Sequence, residues 1–454
     1  MTFLGEDCLK KRRSNGDIRR TLVALVVLWI ILAAGVALAA GYAFGVPPWN
    51  APDEPAHYNY IRHLATTGQL PELKPGDWDA QLLERLKSSR FPKGEPVDSI
   101  AYEGHQPPAF YLLATPVYKA TAGLPIEEQV VALRLLSVAI SGVTVVLSFL
   151  LVRAIFPDDL PLQLAVAGFV AFLPMRSAVA GSISNDALAE LVGTLILLSL
   201  VRILKEGLLR GSALLLGALL GLALLTKMTV YSYVPMALVA VLFSPKRGRN
   251  GAHPRAWLVV IAVAVALLVS GWWFVRNGMV YGMTDIFGLQ RHDQVVVGQP
   301  RLERLDAATV SYFVNTLFQS FWGQFGWMGI LMDSQVYFAL KMVSALAALG
   351  MLLYLARTMV GKSPLNPHQK GSLLLMGVAV VGVAVQLVVY NLSFIQAQGR
   401  YLFPALTPIA LFFVLGLREL MAPIHARLLL GLSVVSLASL DLLCLMRYVI
   451  PYFR

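Results

Sequence analysis

Residues 21–43 read TLVALVVLWIILAAGVALAAGYA, a run without a single charge. Crossing the hydrocarbon core of a bilayer as a helix takes about 20 such residues, so this stretch spans a membrane. Working outward along the chain, ten further apolar runs fall near 130–155, 161–175, 187–204, 211–226, 229–243, 256–275, 335–356, 371–393, 401–417 and 427–447. The whole composition agrees. Of 454 residues 57% are apolar and only 14% charged, against roughly 45–50% and about 25% in a soluble chain. These numbers exclude a disordered chain. The two cysteines, Cys8 in a basic tail and Cys444 in the last run, exclude a disulfide-stapled secreted domain. The expected fold is an all-α integral-membrane bundle of about 11 (10–13) helices: a basic tail over 1–20, then one membrane domain over 21–454.

Thr226-Lys227 interrupts the apolar region 211–243. A charge left in mid-bilayer costs at least ~2.5 kcal/mol, so two short helices meeting at a polar point near an interface are expected there. Val36-Ala37-Leu38-Ala39 resembles a signal-peptidase site, but the apolar run before it is long for a signal peptide, and an uncleaved first span is expected.

Orientation follows from the positive-inside rule. Lys10, Lys11, Arg12, Arg13, Arg19 and Arg20 hold the N-terminus in the cytoplasm. Alternate crossings then place inside the loops with Arg202, Lys205 and Arg210, with Lys246, Arg247, Arg249 and Arg255, with Arg357, Lys362 and Lys370, and with Arg418 and Arg427. Every basic loop agrees with that parity. The net charge of +11 therefore faces anionic lipid and does not point to nucleic acid.

Two long loops, 44–129 and 276–334, fall outside, and loops of this length usually carry function. In the first, Pro55 just after Asp53 marks a helix start and Gly68 a helix end. Tyr58, Ile61, Leu64 and Ala65 make an apolar stripe at helical spacing, expected to lie on the membrane surface. Residues 78–88 read as a second short helix.

The same parity brings Arg176, Asn185, Asp186, Lys227, Arg276, Asn277, Gln398 and Arg400, all at outer ends of spans, to the face of the first loop with Asp53, Glu54, His57, His105 and Gln106. Cations beside an apolar wall suit an anionic lipid headgroup, a phosphate above all. A carboxylate opposite suits a general base acting on a hydroxyl. Each residue also has an ordinary explanation. Arg and Lys at helix ends snorkel to headgroups, Asp53 is placed to cap a helix, and single histidines are commonly structural. Glu72 to Glu103 read as a solvated face, and the aromatic run 318–327 as an interfacial belt. Convergence on one face is what favours a site.

The segment PPWNAPDEPAHYNYIRHLATTGQLP, followed by Glu103-Gly-His105-Gln106-Pro107-Pro108-Ala-Phe110-Tyr111, resembles the first outer loop of the glycosyltransferase C superfamily. The likeness is to the protein-mannosyltransferase and aminoarabinose-transferase branch, in which an acidic residue follows the first span and an x-Pro-Pro element re-enters the membrane. GSISNDALAE (181–190), WWFVRNGMVYG (272–282), SFWGQFGW (320–327) and QGRYLFPALTPIAL (398–411) extend the resemblance, which also takes in an uncharacterised bacterial membrane-protein family. The resemblance implies a polyprenyl-phosphate-linked sugar as donor and an extracytoplasmic glycan, lipid or protein acceptor, at a bacterial inner membrane. It implies that Asp53 deprotonates the acceptor hydroxyl, with Glu54 beside it. His57, His105, Gln106, Asn185 and Asp186 would line the substrate pocket, and Arg400, Tyr401, Lys227 and Arg276 would hold the lipid phosphate. No metal site is implied outright, although Glu54, His57 and His105 are of types that could ligate a divalent ion. Departures are fewer spans than many relatives and no soluble C-terminal domain within the 454 residues. The rival expectations are an oligosaccharide polymerase or ligase of the same fold, a lipid-linked-sugar flippase with paired broken helices, and a non-catalytic scaffold.

Overall fold

A computed structural model of the chain describes residues 3–245, 254–302, 304–361, 365–421 and 423–454, with side chains described from residue 22 onward except at 422–424. The side chains of the basic tail, Cys8 among them, and Lys246, Arg247, Arg249 and Lys362 lie outside the described residues. In chain order the helices are α1 Phe3–Gly45, α2 Glu54–Thr67, α3 Ala80–Ser88, α4 Ala109–Ala120, α5 Ile126–Ile155, α6 Leu160–Phe172, α7 Pro174–Ala180, α8 Asp186–Glu206 and α9 Arg210–Leu224. They continue with α10 Tyr233–Phe243, α11 Arg255–Tyr281, α12 Leu289–Val295, α13 Ala307–Trp322, α14 Ser334–Met359, α15 Pro367–Asn391, α16 Leu406–Glu419, α17 Pro423–Leu443 and α18 Ile450–Phe453. Among the described residues the strands are a two-residue hairpin pairing Gln324-Phe325 with Ile330-Leu331.

Among the described residues eight helices are long and apolar enough to cross a bilayer, nine with the bent pair α6–α7. The helices α9 and α10, expected as two further spans, are apolar but shorter than a full span. Side-chain contacts place alternate ends together, as the parity requires. At one end Arg418 pairs with Asp159 and Arg357 with Glu419, and His368 contacts the Val201 carbonyl. At the opposite end the last turn meets the first loop, with Arg90 bonded to the Tyr452 carbonyl at 2.7 Å. Thr226-Lys227 does separate two short helices, and the Ala109 N–H, just after Pro107-Pro108, donates to the Leu225 carbonyl in that break at 2.8 Å. This bond ties the x-Pro-Pro element to the bundle.

Three expectations are corrected. The third span does not run straight through Pro174. It bends by 60° there, because proline removes a backbone donor and holds the preceding residue extended, as seen at Leu173 with ψ 115°. The stripe of α2 does not face lipid: Tyr58, Ile61 and Leu64 are buried in the protein, and Tyr60 stacks on Tyr111 of α4 at 3.6 Å. The aromatic run 318–327 is only partly a belt, since Trp322 is buried against Phe169 and Phe413.

Candidate functional site

A cavity of about 610 Å³ opens at the end of the bundle that carries the first loop. Its walls come from segments remote in sequence: the turn before α2, the turn Tyr102–His105, the α9–α10 break, the last turns of α15 and the turn Gly399–Ala405. Asp53 lines it, in the left-handed region with φ 65°, a conformation that Asp tolerates better than most side chains. It occupies the position before α2, yet its side chain makes no capping bond. One oxygen instead accepts from the Tyr102 hydroxyl at 2.7 Å and the other from Arg400. Arg400 also lies 3.6 Å from Asp186 and donates through Nε to Gln398 at 2.7 Å. Asp186 in turn pairs with Lys227. Asp53, Arg400, Asp186 and Lys227 thus form one chain of alternating charge.

Burial pushes the Asp53 carboxyl up, but the Arg400 charge and the bonds from Arg400 and Tyr102 outweigh it and hold the group at about 2. Burial drives the neighbouring His57 down to about 3, so its ring is neutral, and Nδ1 lies 2.9 Å from the Tyr111 hydroxyl. His105 is lowered to about 3 by burial and by His292, whose ring centroid is 4.7 Å away. Glu103 behaves oppositely. Burial, then the Asp53 charge, push it up to about 8, so at neutral pH it is a carboxylic acid and a hydrogen-bond donor.

Of the residues expected at the site, Asp53, His57, His105, Gln106, Lys227, Arg400 and Tyr401 line the cavity. Asp186 stands just behind through its pairs with Lys227 and Arg400. Asn185 also stands behind, its amide 3.4 Å from Gln106. Two residues are not brought there. Glu54 is turned into the protein, where Arg134 grips both its oxygens at 2.7 and 2.6 Å and the Trp49 and Ile183 amides donate to it. Arg276 clamps the first loop through the Pro71 carbonyl at 2.7 Å and packs over Trp273 and Tyr281. Arg176 is likewise spent on Glu190 at 2.8 Å. With Glu54 held by Arg134 and His57 bonded to Tyr111, the trio Glu54, His57 and His105 does not make a ligand set. No group of three or more His, Cys, Asp or Glu suited to a metal ion occurs among the described residues.

Residues that sequence reasoning passed over are Glu103, assigned to a solvated face, and Tyr102, His292, Thr229 and Gln386, which also line the cavity. Arg134, the buried partner that fixes the turn carrying Asp53, was hidden as one charge in an apolar span. Its position near the start of α5, which follows directly on the acidic loop, was the signal available.

An acidic residue after the first span thus faces cations at the ends of later spans, beside an x-Pro-Pro element docked into a helix break. The chain belongs to the family described as "Predicted membrane protein (DUF2142)", whose family model matches residues 107–410. Asp53 and Glu103 precede the matched segment. Among solved structures, the chain is similar to the Archaeoglobus fulgidus oligosaccharyltransferase tethered with an acceptor peptide. There the TM-score is 0.53 at 15% identity, covering 92% of this chain and 55% of that one. It is similar also to ArnT from Cupriavidus metallidurans in the apo state, with TM-score 0.52 at 15% identity, covering 95% and 65%. A third is the archaeal oligosaccharyltransferase AglB in complex with an inhibitory peptide and a dolichol-phosphate, with TM-score 0.53 at 12% identity, covering 94% and 55%. The chain therefore spans between about half and two thirds of the length of these proteins. No curated protein matches the chain.

Proposed function

We propose that the protein is an extracytoplasmic glycosyltransferase of a bacterial inner membrane, moving a sugar from a polyprenyl-phosphate carrier to an acceptor hydroxyl. The observation that carries this reading is the bridge made by Arg400 between Asp53 and Asp186 at the cavity, with Lys227 beside it. Two cations at helix ends suit a phosphodiester whose lipid tail lies between spans. The fold likeness to two lipid-linked-sugar systems supports the same class.

In the proposed reaction the acceptor O–H attacks the anomeric carbon. Its proton passes to an Asp53 oxygen, the bond from the anomeric carbon to the phosphate oxygen breaks, and the electron pair leaves with polyprenyl phosphate. One displacement inverts the anomeric centre. Arg400 and Lys227 stabilise the charge that grows on the departing phosphate. Paired with Arg400, Asp53 is a weak base, held at about 2. A donor phosphate that shares Arg400 weakens this hold and raises the basicity of Asp53 on substrate binding. The cavity volume of about 610 Å³ lies in the usual range for small ligands and supports transfer of one sugar in preference to a long oligosaccharide.

The test offers purified protein a panel of polyprenyl-phosphate monosaccharides and lipid-linked oligosaccharides with crude envelope acceptors, and measures free polyprenyl lipid. Release from at least one monosaccharide donor, lost in Arg400→Ala, is expected. Release only from oligosaccharide donors would replace this reading with a ligase. Binding without any release would replace it with a flippase or scaffold.

A further inference from the structure

Buried polar atoms in folded proteins are nearly always hydrogen-bonded, and leaving one unpaired costs about 1–3 kcal/mol. Here Glu103 Oε2, Thr229 Oγ1 and Gln386 Oε1 have no partner among the described residues, and all three residues line the cavity. Asn185 Oδ1, also unpartnered, sits behind Gln106. Gln386 is held in place, because its amide nitrogen donates to the Met228 carbonyl at 2.6 Å, leaving the oxygen to accept. A carboxamide oxygen that only accepts, and a hydroxyl and a carboxyl that do both, call for a ligand with several O–H groups. The charge of that ligand follows from the pairing already in place. Each cation lining the cavity has a carboxylate partner: Arg400 has Asp53 and Asp186, Lys227 has Asp186, and Arg301 has Asp293.

We propose that Glu103, Thr229 and Gln386 form a subsite for an uncharged, hydroxyl-rich sugar ring, held beside the Asp53–Arg400 pair. This subsite rests on the reading of the cavity as a lipid-phosphate donor site. A cationic amino sugar would need an ionised Glu103, which burial and Asp53 oppose. An anionic sugar would compete with the donor phosphate for Arg400 and Lys227, which already carry carboxylates.

The test measures binding to the full chain in lipid nanodiscs. The probes are undecaprenyl phosphate, and the same lipid carrying a neutral hexose, a cationic amino pentose or a hexuronate. The neutral hexose lipid should bind tighter than the bare lipid and tighter than either charged-sugar lipid. Thr229→Val and Gln386→Leu, which keep side-chain volume, should each weaken the neutral hexose lipid by about 2- to 10-fold and leave the bare lipid unaffected. Glu103→Gln, which preserves a neutral donor and acceptor, should retain sugar binding that Glu103→Leu loses. Equal weakening of both lipids by these variants, or charged sugars bound as well as neutral ones, overturns the subsite while the donor-site reading stands. Failure of wild type to bind undecaprenyl phosphate at all removes the donor-site reading, and the subsite falls with it.

Discussion

Arg134 and Glu54 are 1% and 0% exposed, and their pair anchors the turn on which Asp53 sits. Arg134→Leu keeps an apolar stem in α5 but strands the Glu54 carboxylate in the interior, with only the Trp49 and Ile183 amides left to it. It also strips the carbonyls of Ala43, Val46 and Pro47 of their guanidinium donors at 2.8, 2.6 and 3.1 Å. Breaking a buried pair by removing one partner costs about 3–5 kcal/mol, and the three carbonyls add to this where water does not reach them. The exposed pair Arg62–Asp98, with side chains 36% and 63% exposed, is a matched control expected to cost no more than about 1 kcal/mol. Thermal unfolding of both variants in detergent, followed by tryptophan fluorescence, should show a large loss for Arg134→Leu and almost none for Arg62→Leu. Glu54→Gln should resemble Arg134→Leu, because it strands the cation. Equal stability of Arg134→Leu and the control would refute the assignment of Glu54 to a structural clamp and return it to the candidate catalytic residues.

Glu103 should show the infrared signature of a protonated carboxyl at neutral pH, absent in Glu103→Gln and lost in wild type as pH rises through about 8. Because its folded-state value lies above the ordinary 4.5, the folded form holds the extra proton. Its contribution to stability is then greatest below about 4.5 and declines as pH climbs toward 8, a slope that Glu103→Gln should remove from a denaturation series. Arg276→Ala should speed proteolysis of the 70–100 loop without changing polyprenyl-phosphate affinity, whereas a phosphate ligand would show the reverse. Gly350→Ala should destabilise the bundle by about 1–3 kcal/mol, since a Cβ there runs into the Gly416 carbonyl where α14 crosses α16. Gly371→Ala, which meets nothing within 4 Å, should be neutral in the same melt.

Hydropathy makes the spans legible, and the charges at their ends bring Asp53, Asp186, Lys227 and Arg400 to one face from sequence alone. That inference works because membrane helices must alternate direction, so residues far apart in sequence are constrained to one side. It cannot say which charge meets which. Arg134 lies 80 positions from Glu54, and nothing local marks the pair, so Glu54 reads as a twin of Asp53 although one backbone step turns their carboxylates to opposite surroundings. Glu103 reads as solvated because its neighbours are polar, while its environment is set by the Tyr102–His105 turn packing against α2 and α12. The kink at Leu173-Pro174 was written in the proline but outweighed by the continuous hydropathy around it. Lipid-facing and protein-facing stripes look alike in sequence, which is why α2 was expected on the membrane surface.

In the proposed mechanism Asp53 takes the acceptor proton beside a phosphate held by Arg400. The direct measurement is polyprenyl phosphate release under saturating donor by wild type and Asp53→Asn, with donor affinity measured on the same preparations. Turnover in the variant should fall by about 10²- to 10⁴-fold. Donor affinity should be unchanged or tighter, because Arg400 loses a competing carboxylate. Wild-type turnover in the variant, or donor binding that falls in step with turnover, would contradict this mechanism.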